Sequence, residues 1–399
     1  MKICVAGKNN IASNVLEFIH GNIIFDQLFV VCTVNDDGNH NWQKSLRRTA
    51  GILGVKEVFL EDVYEIDDLL FLSVEFDKII KPRLFKSKNL INIHFSLLPK
   101  YKGVYTSAWP LLNGEKEAGV TLHKIDSGID TGDIIDQMSY YIENMNARDI
   151  YMNNMILGFD IIKKNIVKLI NNDFESFQQS KNGSSYYSLK SIDYSNVNID
   201  YNNTASAIKN QIKAFSFFEY QLPVFLKYHV SDALILDEKS SGKSGRVLYD
   251  TERFVDITSI DYNIRLFKNY SIDMFSAVLR NDIQTLINVI DYIEDLDITN
   301  RNGWSALMIA VYNNFHDISK ILVSKGANVN KANLNGTSVL MYAKDGAINT
   351  GDMSTVVLLL ENGADVYATD LNGKNVLDYV EGQNKEVFEA IKANLKDGK

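Results

Sequence analysis

One segment recurs three times in the last third of this 399-residue chain. NGWSALMIA begins at Asn302, NGTSVLMYA at Asn335 and NGKNVLDYV at Asn372, at intervals of 335 − 302 = 33 and 372 − 335 = 37 residues. SKGANVNKANLNG and ENGADVYATDLNG form a second matching block, and DGAINTGD (Asp345 to Asp352) can absorb the extra four residues. A period of this length constrains the fold strongly, because a single such unit cannot bury its apolar face alone. The units must stack as a solenoid, whose ends need polar caps. DMFSAVLRNDIQTLINVID reads as a degenerate opening repeat and VFEAIKANLKDGK as the closing cap.

The first 180 residues follow another pattern. MKICVAG reads as a short buried strand and IASNVLEFIHG as an amphipathic helix. NIIFDQLFVVCTV, KEVFL, FDKIIKP and NLINIH are further compact apolar runs, with a helical patch near Trp42 to Leu53. Strands alternating with helices predict a mostly parallel α/β sheet. The GKNN after the first strand is not GxGxxG, so no dinucleotide fingerprint is present. A long helix is expected from about Asn146 to Leu169, where apolar residues fall at helical spacing. From about Phe174 to Lys268 the chain is rich in Tyr, Ser and Asn, and reads as a small β-rich subdomain. The expected division is 1–180, 181–268 and 269–399.

The net charge of −9 argues against a broad nucleic-acid or anionic-membrane surface, since either needs a basic face. Cys4 and Cys32 lie in apolar runs and read as buried free thiols. The six His residues show no metal-ligand spacing, so no metal is expected. No charged leader and no bilayer-length apolar run are seen, so the expectation is a cytoplasmic protein.

Two short motifs carry chemistry. In NIHFSLLPKYKG (92–103) a strand puts Asn92 and His94 on one face, about 7 Å apart, with Ile91 and Ile93 on the other. SLLPKYKG breaks that strand, which places the pair at its carboxyl end, where open α/β sheets bind ligands. Both are expected to face a crevice and not the core. GVTLHKIDSGIDTGDII (119–135) sets Asp126, Asp130 and Asp133 on a Gly-containing loop between two strand-like pieces. A carboxylate beside a His can orient it and stabilise its imidazolium. A lone His, Asn or loop Asp is usually structural, but the combination points to catalysis. His123 lies on a neighbouring strand and reads equally well as structural or supporting.

Together, N-x-H-x-SLLPKYxG and D-x-G-x-DTGD resemble the folate-dependent formyltransferases, over roughly residues 1 to 180. The resemblance implies a Rossmann-like domain that transfers a formyl group from N10-formyltetrahydrofolate to an amine, without metal. It implies catalytic roles for Asn92, His94 and Asp130. It also implies a pterin pocket formed by Phe76, Lys78 and Ile80 on one side and Ser127, Gly128 and Ile129 on the other.

SSYYSLKSIDY, IKNQIKAFSFFEYQLP and TSIDYNIRLF resemble the carboxyl subdomain of sugar-nucleotide formyltransferases, not the basic extension of the methionyl-tRNA enzymes. The substrate implied is a dTDP-linked amino-dideoxy sugar, with dTDP-3-amino-3,6-dideoxyglucose the best match, used in bacterial surface polysaccharide (O-antigen, lipopolysaccharide) synthesis. The alternatives are dTDP-4-amino-4,6-dideoxyglucose, another UDP or GDP amino sugar, or an ankyrin interaction protein with a non-catalytic formyltransferase-like domain. Tyr105, Tyr187 and Tyr220 are candidate stacking partners for the base, and Lys8, Asn9 and Asn10 for the diphosphate. A homodimer is expected, with FSFFEYQLP as a candidate seam. The C-terminal units resemble ankyrin repeats, with Ser-Ala, Ser-Val and Asn-Val in place of the family's Thr-Pro. Trp304, at a repeat start, is a candidate contact for a nucleotide base or a protein partner.

Overall fold

Buried on both faces, the central strands of a parallel sheet read as unbroken apolar runs, and ICVAG and LLFLSV are of this kind. In the computed structural model, which describes residues 1–382 and 384–397, they form the middle of a seven-stranded sheet. Its strands are β1 (Lys2–Gly7), β2 (Gln27–Cys32), β3 (Lys56–Glu57), β4 (Leu69–Val74) and β5 (Leu90–His94), then, beyond a two-residue β6 (Lys102–Gly103), β7 (Glu117–Lys124) and β8 (Ile134–Tyr141). The order is β3-β2-β1-β4-β5-β7-β8. β1 to β5 pair in parallel, whereas β7 and β8 add antiparallel, so the sheet is mixed.

Helices α1 (Asn9–Asn22), α2 (Leu46–Leu53), α3 (Trp109–Leu112) and α4 (Ala147–Ile170) complete this part. Ile3, Val5, Leu70, Leu72, Ile91 and Ile93 bury against Ile11, Val15 and Leu16 of α1 and Ile161, Ile162 and Ile166 of α4. Cys4, Ala6, Phe71 and Leu90 alternate onto the opposite face, with Leu60, Val63, Ile80 and Phe85. Asn146 caps α4 by accepting from Asp149 N. FDKIIKP is not a strand: it is the loop after β4, and its Ile79 is 69% exposed. KEVFL likewise gives only the two residues of β3, with Phe59 turned outward.

After β9 (Tyr186–Tyr187), which pairs with β6, helix α5 (Ala205–Phe215) leads to a second sheet. It comprises β10 (Val224–Phe225), β11 (Tyr228–Lys239), β12 (Val247–Asp250), β13 (Phe254–Ile257) and β14 (Tyr262–Lys268), in the order β10-β11-β14-β13-β12. Ile208 and Ile212 of α5 bury against Val230, Val255, Ile257, Ile264 and Leu266, a core of its own. Both sheets fall within one compact unit, made of Met1–Asn39, Lys44–Phe217 and Gln221–Phe267.

The second unit comprises His40–Gln43, Phe218–Tyr220 and the chain from Lys268 onward. Its helices are α6 (Ser271–Leu279), α7 (Ile283–Ile290), α8 (Ala306–Tyr312), α9 (His316–Ser324), α10 (Val339–Thr350), α11 (Ser354–Glu361), α12 (Val376–Val380) and α13 (Lys385–Asp397). They share one core, from Met274 and Leu286 through Leu307, Leu340 and Leu359 to Ile391. Ser305 and Ser338 cap α8 and α10, and Asn375 caps α12, the role for which their hydroxyl or amide oxygen suits them. The longer second interval is taken up by α10, which runs to Thr350 before Gly351 (φ 76°) ends it. Phe218 of FSFFEYQLP packs on this core, 5.8 Å from Phe275 between ring centroids. Among the described residues no helix is long and apolar enough to cross a membrane.

Candidate active site

The end of β5 and the loop after β7 meet in four side chains. Pairing of β5 with β7 places Asn92 opposite His123. His123 Nδ1 lies 2.8 Å from the carbonyl of Lys124, an acceptor only, so Nδ1 carries the proton and Nε2 presents a lone pair. Asn92 Nδ2 donates to that lone pair at 3.0 Å, which fixes which way the amide faces. Its second N–H points toward Asp130 Oδ1, at 3.5 Å. Burial, reinforced by the neighbouring His94, lowers the His123 pKa to about 4, so near neutrality the ring stays an acceptor.

His94 is also held by a carbonyl. Its Nε2 lies 2.8 Å from Tyr101 O and must donate to it, leaving Nδ1 facing Asp130 Oδ2 at 3.6 Å. Asp130 Oδ2 accepts from Gly103 N at 2.9 Å, and Oδ1 sits 3.7 Å from His123 Nε2. The orienting hydrogen bond on His94 therefore comes from a backbone carbonyl, with the carboxylate placed beyond it to balance an imidazolium charge. His94 is only 7% exposed, less than expected of a crevice residue, because the 95–103 loop covers its Nε2 edge through Tyr101 O while Nδ1 faces Asp130. Asn92 stays partly accessible.

Backbone geometry makes this possible. Asp130 adopts φ 54° at the tip of the loop, and Gln179 Nε2 pins that loop by donating to Asp130 O (2.9 Å) and Gly132 O (2.8 Å). Gly103 has φ 90°, and a Cβ there would lie 2.1 Å from Tyr187 O, so only glycine brings this N–H to Asp130. His123 was open on the sequence alone; Tyr101 and Gly103 lie inside the first motif, but nothing in it showed that their backbone groups hold His94 and Asp130, and Gln179 lies in no motif.

The remaining candidates lie as follows. Phe76, Lys78 and Ile80 occupy the loop after β4; Phe76 and Ile125 both pack on the apolar cluster that includes buried Ile80, and Ile125 leads into the 126–130 loop bearing exposed Ser127, Gly128 and Ile129. Asp126 shapes that second loop, accepting from Gly128 N and Thr131 Oγ1. Ile80, 8% exposed, and Ile129, 39% exposed, supply apolar surface of the kind that suits a flat pterin. Lys8, Asn9 and Asn10 sit at the start of α1, next to the ends of β1 and β4. Tyr105 (φ 61°) donates to Leu189 O, and its ring packs edge-on to Tyr194. Tyr187 is stacked on Trp109 at 3.8 Å, so part of its surface is committed to the chain's own packing. Tyr220 and Trp304 belong to the other unit: Tyr220, 55% exposed, meets Trp42 edge-on, and half-buried Trp304 packs on Tyr312 and Tyr342.

A strand-end Asn–His pair with a loop carboxylate, at the carboxyl edge of a Rossmann-like sheet, defines a formyltransferase domain. Residues 60–156 match the formyl transferase family model, and residues 274–370 match a model of three ankyrin repeats. WlaRD, a sugar 3N-formyl transferase solved with dTDP and 5-N-formyl-THF, is 45% identical and has a TM-score of 0.63; the match covers 67% of this chain and 97% of that one. The N-formyltransferase from Helicobacter canadensis, solved with folinic acid and dTDP-3-aminofucose, gives the same identity and TM-score, covering 67% and 100%. The methionyl-tRNA formyltransferase of Clostridium novyi (strain NT) is 28% identical over 200 residues, 48% of this chain and 62% of its own length. That of Synechococcus sp. (strain JA-3-3Ab) is 31% identical over 179 residues, 44% and 53%. The chain thus spans a little over half the length of these two curated relatives. It belongs to the sugar N-formyltransferases, and carries ankyrin repeats in its C-terminal third.

Proposed function

We propose that this protein transfers the formyl group of N10-formyltetrahydrofolate to the amine of a dTDP-linked 3-amino-3,6-dideoxyhexose, in the assembly of a bacterial surface polysaccharide. The observation that carries the reading is the convergence of Asn92, His94 and Asp130 beside the 76–80 and 126–130 loops. Those loops would hold the pterin, and the formyl group on N10 would then be presented to Asn92. Attack by the neutral amine creates an oxyanion, which takes the Asn92 N–H that otherwise reaches toward Asp130 at 3.5 Å. A preorganised donor of this kind is worth about 3 kcal/mol of barrier. His94 Nδ1, unprotonated in the tautomer set by Tyr101, accepts the proton lost by the amine, and Asp130 stabilises the resulting imidazolium. As the bond to N10 breaks, the imidazolium returns that proton to N10, restoring the enzyme.

Lys8, Asn10 and the backbone of Asn9, whose side-chain donors go to Glu75 and Tyr151, hold the diphosphate at the positive end of α1, which has no acidic residue in its first turn. The sugar nucleotide is preferred over a tRNA substrate because the 45% identity to sugar enzymes extends over two thirds of the chain, and the chain is acidic. The enzyme works as a homodimer, and its ankyrin unit offers Trp304 to a nucleotide or to a protein partner.

Incubation with formyltetrahydrofolate and a panel of dTDP-, UDP- and GDP-linked amino sugars, read by mass spectrometry, tests the substrate. A formyl mass gain on a dTDP-3-amino sugar is expected. Gain only on methionyl-tRNA, or on no sugar at all, would reject the reading.

A further inference from the structure

The chain leaves β1 toward β2 and β3 on one side of the sheet, then returns to β4 on the other. The gap between the carboxyl ends of β1 and β4 is therefore the topological switch point, where open α/β sheets take their ligands. Glu75, the residue after β4, stands in it with φ 57°, and Asn9, just beyond β1, has φ 64°. Left-handed backbone is uncommon for residues with side chains, and such conformations concentrate at ligand sites.

Here the side chains of Glu75, Asn9 and Tyr151 form a closed triangle. Tyr151 Oη donates to Glu75 Oε1 at 2.7 Å; Asn9 Nδ2 donates to Oε2 at 3.2 Å and to Tyr151 Oη at 2.9 Å. A carboxylate can accept about four hydrogen bonds, so these two leave acceptor capacity open, and the residue is partly exposed. Burial raises its pKa, with Lys8, Tyr151 and Asn9 pulling the other way. As a purely structural element this arrangement is poor, since a part-buried carboxylate held by neutral donors costs more than an amide would. Strand register gives its place: Gly7 pairs with Val74, and Val74 with Ile93, so Glu75 follows between Lys8 and His94. Neighbouring strands lie about 4.8 Å apart, so the three residues mark steps of roughly that size along the crevice. A nucleotide sugar with its diphosphate at Lys8 and its amine at His94 would lay its hexose over Glu75.

We propose that Glu75 reads the hexose, its carboxylate accepting hydrogen bonds from hydroxyl or ammonium donors of the sugar, with Tyr151 and Asn9 holding it in place. The assignment rests on the sugar-nucleotide reading above. Its test is steady-state kinetics of Glu75→Gln on the dTDP-amino sugar that the wild type formylates, with calorimetric binding of dTDP alone and of folinic acid. Gln keeps the shape but must turn its NH₂ toward either Tyr151 or Asn9, both of which donate to the carboxylate, and presents one acceptor oxygen fewer to the sugar. The expected result is a 10- to 100-fold rise in KM for the sugar nucleotide, kcat within about fivefold, and dTDP and folinic acid affinities within twofold. Tyr151→Phe, which keeps the carboxylate but frees one oxygen, should raise the same KM 3- to 10-fold and serves if Glu75→Gln does not fold. An unchanged KM in the variant, or equal losses of dTDP and sugar-nucleotide binding with a lowered melting temperature, would overturn the Glu75 assignment alone. A wild type inactive on every amino sugar would instead overturn the reading beneath it.

Discussion

Asn92 faces the way it does because of His123, so under the proposed mechanism a neutral histidine orients the oxyanion donor. Asn92→Ala removes the donor and should lower kcat by about 10²- to 10³-fold, with little change in the KM for either substrate, measured by formyl transfer at saturating N10-formyltetrahydrofolate. His94→Ala should cost at least as much, because both the proton acceptor and its return to N10 are lost; near-normal rates in both variants would remove the assignment. His123 also sets a pH dependence. Its folded pKa is about 4 against an ordinary value of 6.5, so between those limits the unfolded chain binds a proton that the folded chain refuses. This contribution to stability is thus full above pH 6.5 and is lost as pH falls toward 4. Denaturant unfolding at pH 7, 5.5 and 4.5 should trace that decline, and His123→Gln should flatten it. A variant with the same slope as the wild type would mean that other groups carry the effect.

At the scale of elements, the repeat is written in backbone-binding side chains as much as in apolar ones. Asn300, Asn333 and Asp370 each accept two backbone N–H groups, from residues 302 and 304, 335 and 337, and 372 and 374 respectively. Their spacings, 333 − 300 = 33 and 370 − 333 = 37, repeat the sequence period, so the turn and not only the helix is copied. Asn333→Ala should destabilise the protein by about 1–3 kcal/mol, since two buried or half-buried donors and the Tyr342 hydroxyl lose a partner. A melting temperature within 1 °C of wild type would contradict this. Trp304, packed 4.4 Å from Tyr342 and 5.3 Å from Tyr312, is a test of whether the unit binds ligand. If it does, Trp304→Ala should lower the dTDP-sugar stoichiometry seen by calorimetry; if the ring only packs, stoichiometry stays and thermal stability alone falls. Elements of this kind were legible because Asx turns, caps and apolar spacing are local. FDKIIKP was not: its apolar residues imitate a strand, while the strand itself, LLFLSV, lies just upstream and the loop leaves Ile79 in solvent.

Over the whole molecule, the order of alternating elements made the parallel sheet readable, and two motifs some thirty residues apart marked the residues that meet at its edge. Those motifs could not reveal how they meet. The antiparallel β5–β7 pairing that sets Asn92 against His123, and the backbone groups of Tyr101 and Gly103 that hold His94 and Asp130, depend on register and loop closure, neither of which leaves a composition or a period. Charge, in contrast, is a property of the entire chain and bears on what it can bind. A net charge of −9 disfavours the general basic surface that binding a tRNA needs, although curated relatives with related catalytic domains are methionyl-tRNA formyltransferases. A tRNA enzyme releases many counterions on binding, so its affinity falls steeply with salt, whereas a nucleotide sugar brings one diphosphate and engages one short site. The kcat/KM for a dTDP-amino sugar should therefore fall less than about tenfold between 50 and 200 mM salt. Methionyl-tRNA should gain no formyl group at either salt concentration, as followed by acid-urea gel or mass spectrometry. Formylation of methionyl-tRNA at a comparable kcat/KM, lost steeply as salt rises, would mean that a basic surface forms after all and that the acidic balance misleads.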